Sequence, residues 1–300
     1  MKKLSLLFLG LLMTAGAMAQ DAAEEEVKLG WSRDGVVSLL FSQSAFNAEW
    51  SNLNGGTGNI TGNANLVYNF NYRAEDYTWD NRLSFDYGIT KIDGDEFARK
   101  TNDRLEFNSL YGKQIKESNW FYSAFLNFRT QAFKGYIFFE DPVTGEPTRE
   151  EFSSFFSPAY LQVGPGLLWK KSDNLKVNIA PATARFIFVD SDFTSTPGYV
   201  DGDYFGVDAG EGTRFELGAS LSGYAKFDVM ENISMENILN LYSNYLEDPQ
   251  NVDVDYTMNL VMKINEYVNS TFTFQAVYDD NAIQGFQIRE VLGVGVGYKF

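Results

Sequence analysis

One stretch of the sequence decides the fold: ITGNANLVYNFNY, residues 60–72. Apolar or aromatic side chains recur at almost every second position from Ile60 to Tyr72, and asparagine or threonine stands at most positions between them. A period of two is that of a β-strand with one apolar and one polar face. The stretch therefore predicts a strand whose two sides meet different surroundings.

The same alternation recurs along the chain and predicts twelve strands. They are expected at 33–46, 59–72, 77–91, 102–115, 119–133, 158–171, 174–189, 213–228, 231–245, 251–264, 267–279 and 286–300. These segments are long for a soluble sandwich, the alternative fold that also alternates, because strands of globular proteins usually run about 5–6 residues. Pro165 and Pro181 interrupt two of them and predict a bulge or local break, since proline donates no ladder hydrogen bond.

The connections alternate in length. Short turns such as 116–118 and 172–173 separate longer links such as 134–157 and 190–212. That pattern is typical of barrels with short periplasmic turns and long extracellular loops. We expect an all-β fold: a single transmembrane antiparallel up-and-down β-barrel of about 12 strands, in the outer membrane of a Gram-negative bacterium.

The amino terminus reads as a targeting signal. Lys2 and Lys3 precede an apolar run, and Ala17-Met18-Ala19 is an A-x-A cleavage site. We therefore expect a signal peptide at 1–19, a periplasmic amino-terminal segment at 20–32 and the barrel at 33–300. No apolar run elsewhere approaches the length of about 18 residues that a membrane-spanning helix requires.

Composition excludes several classes of function. The 300 residues contain no histidine and no cysteine, and the net charge is −16. Histidine-based triads, zinc sites and thiolate chemistry are thus excluded, and so is a basic surface for nucleic acid. Asp253 and Asp255 share one strand face, but no further partner for acid–base catalysis can be named. We expect no enzyme and no cofactor.

Two motifs resemble a known family. The first is Val36-Val37-Ser38-Leu39-Leu40-Phe41-Ser42-Gln43-Ser44-Ala45-Phe46, followed by Trp50 and Gly55-Gly56. The second is Val177-Asn178-Ile179-Ala180-Pro181, then Arg185 and, further on, Tyr204-Phe205-Gly206-Val207. Both resemble a family of outer-membrane barrels from Bacteroidota that is catalogued as a domain of unknown function. Arg185 replaces the family's usual lysine, and 52–54 lacks the usual small residues. The resemblance implies the fold and the location and no activity.

Charged residues on the polar strand faces are the first candidate site. They are Asp80, Arg82, Asp86, Arg104, Glu106, Arg129, Arg214, Glu216 and Arg289. On neighbouring strands, opposite charges are expected to pair inside the lumen. Two interpretations remain open: a salt-bridge network that fills a narrow barrel, or a charge-lined pore, because rings of charge set ion selectivity.

The long loop 190–212 is the second candidate. It carries Asp190, Asp192, Asp201, Asp203, Asp208 and Glu211 and no lysine or arginine. Dense carboxylates are compatible with Ca²⁺ binding, although solvated acidic loops are the simpler interpretation. The other expected partners are outer-membrane lipid and lipopolysaccharide and the barrel-assembly machinery.

Two hypotheses of function follow. The first is a narrow pore or small-solute channel. The second is a plugged structural or interaction barrel that acts through its acidic extracellular loops. The fold alone does not separate them.

Overall fold

The computed structural model describes residues 29–54 and 56–300. The predicted signal peptide and the predicted start of the mature chain at Gln20 lie outside these residues. Fourteen strands are described: β1 (Gly30–Ser44), β2 (Asn59–Arg73), β3 (Tyr77–Ile92), β4 (Arg99–Gln114), β5 (Trp120–Thr130), β6 (Gly135–Glu140), β7 (Pro147–Ser153), β8 (Ala159–Ser172), β9 (Leu175–Phe188), β10 (Thr213–Met230), β11 (Ile233–Asn244), β12 (Asp253–Lys263), β13 (Val268–Asp279) and β14 (Ile283–Lys299). Two short helices, α1 (Ala48–Asn54) and α2 (Ser191–Thr194), lie in the loops.

Twelve of these strands form one closed antiparallel barrel, which confirms the predicted fold. Each strand pairs with its neighbour in sequence, except that β5 pairs with β8 across the inserted β6–β7 hairpin, and β1 closes on β14. Closure gives nearly every strand two partners, so backbone hydrogen bonds are made within the sheet, as a lipid environment requires.

The outer face of the barrel is apolar and exposed. On β14, for example, Ile288, Leu292 and Val294 have 64%, 62% and 53% of their surface exposed. Arg289, on the alternate face of the same strand, points the other way and makes an ion pair with Asp86 inside the barrel. Apolar side chains on the outside and polar ones on the inside are the arrangement of a barrel whose outer wall contacts lipid.

Aromatic residues form a belt around the turn-bearing end of the barrel. Trp31 at the start of β1 lies 5.2 Å, centroid to centroid, from Tyr72 at the end of β2 and 5.9 Å from Trp79 near the start of β3. Trp120 and Tyr122 continue the belt on β5 and are exposed. Such belts lie at the membrane–water interface, and short turns mark this end as periplasmic.

Both prolines that the sequence flags fall at irregular pairings. The β8–β9 register shifts between Val163 and Leu167, around Pro165. The β9–β10 register shifts opposite Pro181, between Gly218 and Ser220. The predicted bulges are therefore confirmed.

The seam between the first and last strands is short. Its paired register runs from Val36–Lys299 to Phe41–Val294, whereas β1 pairs with β2 along its whole length. Gly295 sits in this seam, and a Cβ there would run into the carbonyl oxygen of Leu39. The close approach explains why glycine occupies the position.

Some predicted boundaries were wrong. The segment 134–157 was predicted only as a long link between barrel strands, and it contains the β6–β7 hairpin. A turn closes this hairpin, and in it the Asp141 carboxylate accepts the N–H groups of Val143 and Thr144. The fifth strand ends at Thr130 and not at 133, because the N–H groups of Ala132 and Phe133 donate to the Asp103 carboxylate and not to a ladder partner.

The first strand starts three residues before the predicted position 33, because Gly30 pairs with Arg73 and extends the β1–β2 ladder to the end of β2. The two short helices, α1 and α2, were not predicted either. Within 29–54 and 56–300, no helix has the length and apolar character needed to cross a membrane.

Candidate functional site

Ion pairs cross the lumen from one wall to the other. Arg82 on β3 holds Glu236 on β11 with two contacts, of 3.0 and 3.3 Å. Arg104 on β4 binds Asp255 on β12 at 2.7 Å. In the order of the barrel, β3 lies opposite β11 and β4 lies opposite β12. These pairs therefore span the lumen and narrow it.

The Arg104–Asp255 pair is the centre of a larger network. Arg104 also binds Glu106 at 2.6 Å, and Asp255 also accepts a contact from Arg129 at 2.8 Å. Asn127 donates to Glu106 at 2.7 Å. A charge out of water is costly unless it is paired and hydrogen-bonded, and here Arg104, Glu106 and Asp255 each have at least two polar partners. The network is thus a stable constriction.

A second network lies near the periplasmic end. Asp80 accepts from Lys170 at 2.6 Å and from Lys176 at 2.7 Å, and both Asp80 and Lys170 are buried. Lys170 also binds Asp173 in the β8–β9 turn at 2.8 Å. The two lysines link the β8–β9 wall to β3.

A third network lies near the extracellular end around Arg185. Its guanidinium binds Asp253 on β12 and reaches Asp279 on β13 at 3.2 Å and Glu216 on β10 at 3.5 Å. Tyr160 and Tyr242 stack against the same guanidinium, with centroids 5.1 and 4.7 Å from its carbon. Arg214 binds Glu216 at 2.9 Å and also Glu247.

The remaining predicted lumen pair is the loosest. Arg289 on β14 approaches Asp86 on β3 at 3.5 Å, and Asn102 donates to Asp86 at 2.6 Å. The structure thus places all nine predicted lumen residues on the inner face. Their functional role stays a prediction.

The lumen retains a small cavity between the central and extracellular networks. Its volume is about 80 Å³, and Arg104, Arg129, Tyr160 and Asp255 are among the residues that line it. A space of this size holds a few water molecules.

The loop between β9 and β10 covers the extracellular end. Tyr204 and Val207 in the loop are buried with Tyr160 and Ile187, which stand on the inner face of β8 and β9. Phe205 in the loop lies 6.4 Å from Tyr160, ring to ring. The loop therefore has an apolar core that rests on the lumen wall.

The two long loops also contact each other. The Tyr204 hydroxyl donates to the carbonyl oxygen of Phe152, 2.7 Å away, and the two rings meet edge to face at 5.4 Å. Burial raises the pKa of Tyr204 to about 12, so the phenol keeps its proton at neutral pH. The hydroxyl therefore remains a donor and ties the loops together.

The six acidic residues of the loop do not converge. Asp190 caps α2 by accepting the N–H of Asp192, Asp203 accepts the N–H of Val200, and Asp201 accepts that of Ala209. Asp208 and Glu211 lie in the following turn, where the Glu211 N–H donates to the carbonyl of Asp208. In the described part of the chain, three carboxylates converge within 4.8 Å only at Asp253, Asp279 and Asp280. Ca²⁺ binding by this loop stays a prediction.

Sequence reasoning missed most partners of the predicted charges. The missed partners, all on the lumen face, are Glu236, Lys170, Lys176, Arg185, Asp253, Asp255 and Asp279. Of these, Arg185 was named only as part of a family motif, and Asp253 and Asp255 only as candidates for acid–base catalysis. Strand alternation places each of them on an inner face, and that signal could have found them. It does not say which residues meet across the lumen.

A closed twelve-stranded antiparallel barrel with an apolar outer wall, an aromatic belt and a charged lumen defines an outer-membrane β-barrel protein of a Gram-negative bacterium. Its outer wall contacts outer-membrane lipid. A family model described as "Protein of unknown function (DUF3078)" matches residues 41–136. This fits the predicted resemblance to a family of unknown function, while the Bacteroidota origin and the individual motifs stay predictions. No curated protein matches the sequence.

Several solved outer-membrane barrels are similar in outline. The translocator domain of the autotransporter NalP from Neisseria meningitidis is 8% identical, with 99% of this chain and 96% of that chain covered and a TM-score of 0.40. An outer-membrane channel from Pseudomonas putida F1 is 11% identical, with 93% and 98% covered and a TM-score of 0.38. The DcaP channel of Acinetobacter baumannii is 10% identical, with 90% and 96% covered and a TM-score of 0.27. At these values the likeness has no bearing on function.

Proposed function

We propose that the protein is a narrow outer-membrane pore whose lumen is constricted by ion pairs between opposite walls, so that water and small ions are the only solutes small enough to pass. The observation that carries the proposal is the pairing of Arg82 with Glu236 and of Arg104 with Asp255 across the barrel. A twelve-stranded barrel is narrower than a sixteen-stranded porin, and these pairs narrow it further. The polar inner face and the small internal cavity favour a hydrated path over a dry core.

The test removes one ion pair that narrows the lumen by replacing both of its members, so that the net charge does not change. Arg82→Ser with Glu236→Ser deletes the bidentate pair and leaves the net charge unchanged. In planar bilayers we expect small, weakly cation-preferring currents from the native protein and larger ones from this double variant. Lys134→Ser with Glu151→Ser, which deletes an exposed loop pair, is the matched control and should behave like the native protein. Large anion-selective currents from the native protein would refute the proposal.

A second candidate is a plugged barrel that acts through its extracellular loops. It is favoured by the apolar core that the β9–β10 loop builds on Tyr160 and Ile187, because a loop held this way resembles a fixed plug. The native protein would then carry no current under any applied voltage. Contacts with lipopolysaccharide, with the barrel-assembly machinery and with Ca²⁺ at the 190–212 loop are further proposals, and so is the signal-peptide boundary at 19.

A further inference from the structure

The amino-terminal root of the β6–β7 hairpin lies against the outside of the barrel wall. The Phe133 ring, just before β6, meets the Tyr87 ring edge to face at 4.9 Å, centroid to centroid. Tyr87 on β3 faces outward, because its neighbour Asp86 points into the lumen. Asp103 accepts the N–H of Phe133 at 2.8 Å, and the Lys100 ammonium donates to the carbonyl oxygen of Phe133 at 2.9 Å. The backbone of Phe133 is thus fixed where its ring extends the lipid-facing surface.

The carboxyl-terminal root lies on the same outer surface. The Phe156 ring, shortly after β7, lies 5.3 Å from the Phe188 ring on β9 and 5.8 Å from the Phe128 ring on β5. Phe128 faces outward, because Arg129 beside it points into the lumen. Phe155, next to Phe156, has 61% of its surface exposed. Both roots of the hairpin are therefore continuous with the wall that contacts lipid.

The hairpin itself has one partly covered face and one uncovered face. Tyr136 and Phe138 on β6 are half-buried on the first face, where the Phe138 ring lies 6.0 Å from the Phe97 ring of the β3–β4 link. Ile137 and Phe139 alternate with them and remain 51% and 45% exposed. About half of each of these two apolar side chains thus lacks cover within the described part of the chain.

On the uncovered face, β7 is polar where β6 is apolar. Glu150 and Thr148 stand opposite Ile137 and Phe139 in the ladder and share their face. The hairpin is therefore amphipathic across its width, with its apolar side along β6. Amphipathic elements at a membrane rest with their apolar side about 5–10 Å deep, at the boundary between headgroups and acyl chains.

We propose that the β6–β7 hairpin lies on the outer leaflet of the membrane and binds its lipid through Ile137, Phe139 and Phe155, as an extension of the barrel wall. Burial of exposed apolar surface drives this contact, while the polar side chains of β7 stay at the headgroups and in water. Continuity with the lipid-facing wall at both roots favours lipid over a protein partner. The contact is independent of whether the lumen conducts.

The experiment uses the absence of cysteine from the chain. Single-cysteine variants Ile137→Cys and Phe139→Cys are labelled with an environment-sensitive fluorophore and placed in phosphatidylcholine nanodiscs, in which both membrane faces meet solvent. Lipid with a nitroxide near the top of the acyl chain reports contact with lipid, and iodide reports contact with water. Leu292→Cys on the lipid-facing wall and Val200→Cys, which is 62% exposed in the β9–β10 loop, are the matched controls.

We expect nitroxide lipid to quench both hairpin labels at least half as strongly as the label at 292, and iodide to quench them much less than the label at 200. Strong quenching by iodide without quenching by lipid would place the hairpin in water and overturn the proposal. Protection from both quenchers would indicate cover by protein, such as a second copy of the chain, and would equally overturn it. Heat-dependent migration on gels checks that each variant is folded, and either hairpin position alone decides the question if the other variant fails to fold.

Discussion

Single side chains in this barrel have effects that depend on which wall face they occupy. Asp255 is the clearest case, because one carboxylate serves both Arg104 and Arg129, at 2.7 and 2.8 Å. Removing the acceptor leaves two enclosed cations with fewer partners, and that penalty exceeds the worth of the original pairs.

Asp255→Asn should therefore destabilise the folded barrel by about 3–5 kcal/mol, as loss of one partner from a buried pair does. The matched control is Glu151→Gln, which breaks the exposed Lys134–Glu151 pair and should cost at most about 1 kcal/mol. Chemical unfolding in lipid vesicles measures both. Equal costs for the two variants would show that the lumen is as well solvated as the loops.

Val294 tests the lipid-facing assignment. It lies on the exposed face of β14 between the aromatic Phe286 and Tyr298, so an arginine there meets hydrocarbon and should cost roughly 2–4 kcal/mol. Gly295 cannot serve as the lumen-facing comparison, because any side chain there meets the backbone of Leu39. Val291, on the inner face of the same strand, replaces it as the matched control.

Folding titrations into vesicles compare Val294→Arg with Val291→Arg. We expect the lumen variant to fold more readily, since its guanidinium enters a polar interior. A lower cost at 294 than at 291 would mean that the assigned facing of β14 is reversed.

At the scale of elements, the β9–β10 loop has two opposing effects on the passage of ions. It carries a charge of −6 over 190–212 and also packs an apolar core on the lumen wall. Charge at the mouth concentrates cations, whereas packing blocks the path. Variants that remove the loop's charge alone, or the charge together with the packing, separate the two effects.

Replacing 190–212 with a short Gly-Ser linker removes both effects. If the ion pairs in the lumen set the constriction, conductance should persist with reduced cation preference. The triple variant Asp201→Asn, Asp203→Asn, Asp208→Asn keeps the loop and should lower the preference alone. Bilayer recordings in which current appears only after the deletion would favour the plugged barrel.

Alternation of side chains predicted the twelve barrel strands, because lipid outside and polar groups inside constrain every second residue. Pro165 and Pro181 predicted the two bulges, because proline donates no ladder hydrogen bond. Alternation could not predict that Arg82 meets Glu236, since the partners lie 154 positions apart and meet only because closure of the sheet places β3 opposite β11. The β6–β7 hairpin was not predicted because it lies outside the barrel wall, where lipid on one face and the lumen on the other do not require an apolar side chain at every second position. Its Asp141–Gly145 turn was the available signal.

At the scale of the whole molecule, closure of the sheet is the property that governs behaviour. Closed antiparallel barrels have no free edge over most of their length and resist detergent until heated. The folded and unfolded forms therefore differ in shape in a detergent gel.

We expect the protein to fractionate with the outer membrane, to begin at Gln20 after processing, and to change its migration on heating. Amino-terminal sequencing, membrane fractionation and gels of heated and unheated samples measure these three properties. Recovery of a soluble periplasmic monomer would contradict the membrane assignment.

Because the β1–β14 seam is short, we expect the barrel wall to open there first on heating. Local opening occurs where a ladder has the fewest bonds to lose, and here the ladder ends at Phe41–Val294 while β13 continues to hold β14 beyond that point. Amide hydrogens of the seam should therefore exchange with solvent deuterium sooner than those of the much longer β3–β4 ladder. A barrel of this kind would part along one line, between its first strand and its last, long before it unfolds as a whole.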